Sequence, residues 1–147
     1  MDSRVLRLKT VESCEKFKSN ALRLGEAELA KQATLRAVEI RAELYGCETE
    51  AERLAIEAVY AYEEVLSQRN GKRTRASRTW QMIERRGVIG AVETAVNRPD
   101  ETQGYTALAE IGLEEYAFEA VILKFPELFS KAAVEKSEER MSNWQRT

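Results

Sequence analysis

The sequence predicts an all-α protein: an irregular bundle of seven or eight helices built on an N-terminal antiparallel helical hairpin. Three observations predict it. Ala, Leu, Glu, Arg and Lys, all strong helix formers, dominate a chain of 147 residues with only two prolines and seven glycines. Apolar residues recur at spacings of three and four, with no convincing strand pattern. Gly25, Gly46, Gly71, Gly87 and Gly112 fall between those segments, where helix stops belong.

Thr10 to Leu24 is the first predicted helix, since Val11, Cys14, Phe17, Ala21 and Leu24 form one apolar stripe. Gly25 stops it. Glu26 to Tyr45 follows, with Ala30, Ala33, Ala37, Ile40 and Leu44 on one face. So short a connection forces an antiparallel hairpin over 10–45, and the alanines let the two backbones approach closely. The pair is faintly like a tetratricopeptide unit, but one copy without a matching period predicts no repeat protein.

Thr49 with Glu52 forms a capping box for a third helix over about Glu50 to Gln68. Its wide apolar arc (Leu54, Ala55, Ala58, Val59, Ala61, Tyr62, Val65, Leu66) makes it the expected centre of the core. Asn70-Gly71 stops it, and a basic helix is predicted over 75–86 with Thr74 as its N-cap. At roughly 100° per residue, Ala76, Trp80 and Ile83 share the core side. Arg75, Arg78 and Arg85 fall about a third of a turn away, with Met82 among them and Arg86 at the edge. Gly87 breaks this helix, and Val88 to Val96 forms a short one.

Asn97-Arg98-Pro99 is a predicted turn, with Pro99 opening a helix toward Ile111 that Gly104 loosens or breaks. Asp100 and Glu101 complement the positive end of its dipole. Glu114 to Lys124 is the next helix, and Phe125-Pro126 ends it. The last helix starts at Pro126 or takes Ser130 as its cap, and Val134, Met141 and Trp144 give it a thin apolar seam. The expected organisation is a single domain over 1–147: the hairpin, a core bundle over 49–130, and a C-terminal helix over 130–147.

The chain has no histidine, which removes the commonest general base and the commonest metal ligand together. Acidic groups such as Glu48, Glu50 and Glu52, Glu63 and Glu64, or Glu135, Glu138 and Glu139 have the spacing of solvated helix faces. Gly71-Lys72-Arg73 is no P-loop, and neither a GxGxxG nor a CxxC occurs. The expectation is a protein that is not an enzyme and carries no cofactor. A carboxylate metal site on facing helices stays open at this stage, although the Glu-x-x-His signature of di-iron bundles is impossible. Cys14 and Cys47 read as reduced thiols. No apolar run approaches the about 18 residues that span a bilayer, and residues 1–10 lack the apolar core of a signal peptide. A cytoplasmic protein without a membrane partner is expected.

Charge carries the functional signal. Arg69 to Arg86 holds seven Lys or Arg and one acid, Glu84, a net of +6 in a chain of −2, so the remainder sums to −8. So concentrated a basic segment in an acidic chain is a partner-facing feature. The candidate binding residues are Lys72, Arg73, Arg75, Arg78, Arg85 and Arg86, and the expected partner is anionic, nucleic-acid backbone foremost. The basic helix, Gly87 and the short helix after it invite a helix-turn-helix reading. Arg86 stands where an apolar packing residue is wanted, however, and Gly90, Glu93, Thr94 and Asn97 are a weak set for reading base edges. Strong base readout is not expected. The rival is a protein–protein or regulatory adaptor that uses the same basic face or the C-terminal seam, the seam also being where a homodimer would form. DNA, RNA and protein stay open as partners.

Three segments resemble parts of a widespread family of small all-helical bacterial proteins: Arg73 to Thr79, the Asn97-Arg98-Pro99 turn with Gly104 to Leu108, and Phe118 to Val121. The resemblance covers about Thr10 to Ser130. It implies a bacterial, cytoplasmic, all-helical protein; it implies no activity, and no functional residue follows from it.

Overall fold

In a computed structural model the protein is all-α, with eight α-helices and no strand among the described residues. The structure describes residues 1–98 and 102–146, without the side chains of 102–104 and 144–146. The expected first-turn roles of Pro99, Asp100 and Glu101, and the place of Trp144 on the seam, lie outside these. No described helix is long and apolar enough to cross a membrane. The chain divides into two compact units, Met1–Cys47 and Glu48–Thr147, next to the Gly46 stop.

The first unit holds α1 (Ser3–Leu6), α2 (Val11–Arg23) and α3 (Ala27–Tyr45). Thr10 and Ser13 cap α2 reciprocally: Ser13 N–H donates to Thr10 Oγ1 and Thr10 N–H to Ser13 Oγ. At the other end Gly25 takes φ 76, Glu26 N–H reaches the Ala21 carbonyl and Gly25 N–H the Leu22 carbonyl, a Schellman stop. Ala30, Ala33 and Ala37 are buried, and Cys14, Ala37 and Ile40 form a small core with Leu8 and Val11 against it. Two expected stripe residues do not join it: Leu24 is 69% and Leu44 79% exposed. Leu24 is the C-cap and lies outside α2, while α3, with 19 residues against 13, overhangs its partner where Leu44 stands. The unpredicted α1 buries Val5 completely, and Asp2 both caps it and donates its N–H to Gln32 Oε1.

The second unit holds α4 (Glu50–Asn70), α5 (Ser77–Asn97), α6 (Thr102–Glu110), α7 (Phe118–Lys124) and α8 (Lys131–Arg146). Its core sets Ala55 of α4 and Val92 and Val96 of α5 against Val121 and Ile122 of α7 and Ala133 of α8, with Leu54, Phe118, Phe125 and Val134 around them. Gly87, at φ 77 and ψ 169, kinks α5 into two helical segments. The segment after the kink is a core element, with Ala91, Val92, Ala95 and Val96 buried. Helix α6 runs through Gly104 unbroken. The helix expected over Glu114 to Lys124 is instead a 3-10 turn (Glu114–Tyr116), an extended Ala117 at ψ 157, and then α7.

Ser130 is the cap of α8: its Oγ accepts from Ala133 N–H, while Glu93 accepts from both its N–H and its hydroxyl at 2.7 Å. Glu93 also accepts from Asn97 Nδ2. Cations of α8 satisfy the C-terminal end of α5, where carbonyls lack helical partners. Lys136 Nζ donates to the Asn97 carbonyl at 2.9 Å and Arg140 to that of Arg98 at 3.4 Å. Val134, expected on an outward seam, is packed into this core, and Met141 is half-buried.

Candidate anion-binding site

Helix α4 is amphipathic in an unusual way: within its wide apolar arc it buries Glu63 and Glu64, which are 2% and 9% exposed. Both carboxylates are expected in solvent on sequence grounds, and the structure overturns that. A buried carboxylate is costly unless it is hydrogen-bonded, and the basic segment supplies the donors. Glu63 Oε2 accepts from Ala76 N–H at 2.9 Å and from Trp80 Nε1 at 2.6 Å. Its Oε1 takes Arg73 at 3.4 Å, and Glu64 Oε1 takes the same guanidinium at 2.7 Å. Glu63 thus fixes the loop, the entry to α5 and the indole at once.

The predicted N-cap of the basic helix moves as a result. Helix α5 begins at Ser77, with Ala76 as its N-cap, and Ala76 has no side chain to cap with. Thr74 instead closes the preceding loop: its N–H donates to Ser67 Oγ, its hydroxyl donates to the Lys72 carbonyl and accepts from Asn70 Nδ2. Among the described residues the first-turn N–H groups of Ser77, Arg78 and Thr79 have no acceptor.

The six candidate cations divide accordingly. Arg73 turns inward onto Glu63 and Glu64. Arg75 is exposed but lies over the Trp80 ring, 5.6 Å from its centroid, and Trp80 packs on Tyr60 at 5.2 Å. The half-buried Trp80 is therefore part of the site's framework. Lys72, Arg78, Arg85 and Arg86 are exposed and make no ion pair among the described residues. Arg69, in the same segment, pairs with Glu110 at 3.7 Å.

Met82, which the pattern sets among the arginines, is buried. It lies in a cavity of about 480 Å³ at the head of α5, lined by both Arg75 and Arg78. Arg98, Tyr62, Tyr105, Tyr116 and Glu119 line it too, and the sequence singled out none of them as site residues. Only fold contacts between α4, α5, α6 and α7 assemble them, so no local spacing announces the site. Lys72, Arg85 and Arg86 are not among the lining residues.

Glu119 is held by Arg140 at 2.9 Å, both side chains being largely buried. Burial pushes the Tyr105 phenol up, and the Glu114 and Glu119 carboxylates push it further, so it stays a protonated donor. Tyr105 is 5% exposed and its hydroxyl has no hydrogen-bond partner among the described residues. No group of three or more acidic or thiol side chains among the described residues is placed to hold a metal ion. Cys14 and Cys47 are not joined in a disulfide. Comparison with family models, curated proteins and solved structures gives no match.

Proposed function

We propose that the protein is a non-enzymatic binding module whose basic helix takes the backbone of a nucleic acid. The observation that carries this reading is the state of the arginine stripe after folding. Lys72, Arg75, Arg78, Arg85 and Arg86 stay exposed, and none of them is neutralised by an ion pair among the described residues, although the chain as a whole is acidic. Arg78 and Arg85 are seven residues apart on the first segment of α5, which puts them about 20° apart on one face. Such a row suits charge-assisted hydrogen bonds to successive phosphates. Base readout has no place in this reading, because the segment after Gly87 belongs to the core.

The test is fluorescence anisotropy with labelled single-stranded DNA, duplex DNA and RNA. Reversing Arg78, Arg85 and Arg86 to Glu weakens the preferred ligand at least tenfold while the far-UV spectrum is unchanged. Equal affinity in the triple variant sinks the reading. A stoichiometric protein partner that survives nuclease treatment would put an acidic protein in the nucleic acid's place.

A further inference from the structure

The cavity at the head of α5 does more than flank the stripe. We propose that it binds one aromatic phosphate monoester the size of a mononucleotide, free in solution or as the 5′-phosphorylated end of a single strand. This deepens the proposed function and rests on it only for the strand-borne source. About 480 Å³ lies within the range of roughly 300–1,000 Å³ typical of small-molecule sites.

The head group has its donors in place. Ser77, Arg78 and Thr79, whose N–H groups have no acceptor among the described residues, line this cavity at the helix end where the dipole adds positive potential. Arg75 and Arg78 also offer planar forks to a multi-oxygen anion. An independent observation points the same way: Tyr105 is a buried, protonated, unpartnered donor on the cavity wall. Its hydroxyl makes no hydrogen bond among the described residues and is open to an acceptor brought by a ligand. Glu119 on the wall is paired with Arg140, while the Glu114 and Glu119 carboxylates both act on the Tyr105 phenol.

The body of the ligand meets a different surface. Met82, Val96 and Leu108 give an apolar floor, and the tyrosines give aromatic walls. A flat ring gains from both through burial and stacking. A bare phosphate gains from neither.

The experiment is isothermal titration of the full chain with 5′-AMP, 5′-CMP, adenosine, inorganic phosphate and a 5′-phosphorylated tetranucleotide. One mononucleotide binds per chain, and adenosine and inorganic phosphate bind at least tenfold more weakly. Tyr105→Phe and Arg78→Gln each weaken the mononucleotide about tenfold, with unchanged thermal unfolding. Arg85→Gln, away from the cavity, leaves it unchanged. A tetranucleotide that binds at least as tightly as the mononucleotide assigns the site to a strand. A tetranucleotide tenfold weaker assigns it to free nucleotide and removes the strand reading while the cavity site stands. The inference is overturned by the absence of saturable binding up to millimolar nucleotide, by phosphate matching AMP, or by affinity indifferent to both cavity variants.

Discussion

Replacing Glu63 by Gln separates two accounts of the basic segment. The carboxylate accepts three hydrogen bonds, from Ala76 N–H, Trp80 Nε1 and Arg73. Glutamine keeps one oxygen, which can serve the first two donors, and turns an NH2 toward the guanidinium. Two charge-assisted bonds become neutral ones, at about 1 kcal/mol each, since bonds to charged groups contribute about 1.5–3 and neutral ones about 0.5–1.5. The Arg73 contact is longer, its side chain is 42% exposed and Glu64 still holds it. Its loss therefore adds less than about 1 kcal/mol. The expected destabilisation is about 2–3 kcal/mol, or about 10 °C in Tm for a chain of this size, read by urea and thermal unfolding. Binding gives the sharper result. Glu63→Gln raises the net charge by one, so electrostatics alone predicts tighter nucleic-acid binding. If Glu63 positions the loop and the head of α5, affinity falls instead. A stability loss under about 0.5 kcal/mol, or tighter binding, refutes the argument.

The other predictions concern the frame around the site. Gly87→Ala places an alanine at φ 77 and ψ 169, a region reserved almost wholly for glycine, although nothing lies within 4 Å of the added Cβ. It costs about 1–3 kcal/mol of stability through backbone strain, and an unchanged melting curve would contradict the assigned kink. Burial alone would raise the Glu93 carboxyl, but hydrogen bonds from Ser130 and Asn97, with Lys136 nearby, hold it below the usual carboxylate range. Its stabilisation is then complete above the unfolded pKa and lost as pH falls through the lower, folded one. Glu93→Gln flattens that acid limb in pH-dependent unfolding, and an unaltered limb would count against the cap. Arg140→Met takes the 2.9 Å guanidinium partner away from the buried Glu119 and costs about 3–5 kcal/mol, whereas Arg140→Met with Glu119→Leu recovers at least half of it. A double variant no better than the single one would show that the pair is not what matters there.

Helix periodicity and glycine stops were legible in the sequence because they are local. The α2–α3 turn, the wide arc of α4 and the break at Gly87 follow from spacing alone. Element ends were less legible: Leu24 and Leu44 continue their stripes numerically, but their partner helix does not reach them. Glu63 and Glu64 carried a signal, since two acids inside the apolar arc of a central helix require buried donors. Arg73 and Trp80, ten and seventeen residues on from Glu63, supply them. The cavity was not legible, because Tyr62, Tyr105 and Arg98 come together only through the packing of four helices. Nor did the spacing of Val134 show which way it would face once Ser130 and Glu93 had set the entry to α8.

The central claim, that the arginine stripe reads a phosphate backbone, is tested most directly by the salt dependence of anisotropy with the preferred strand. Full engagement of Lys72, Arg75, Arg78, Arg85 and Arg86 predicts that log affinity falls linearly with log salt, with a slope of about −3.5 for a single strand. Arg85→Gln should reduce that slope by about 0.7. A slope near zero, or one that Arg85→Gln leaves unchanged, would contradict the account.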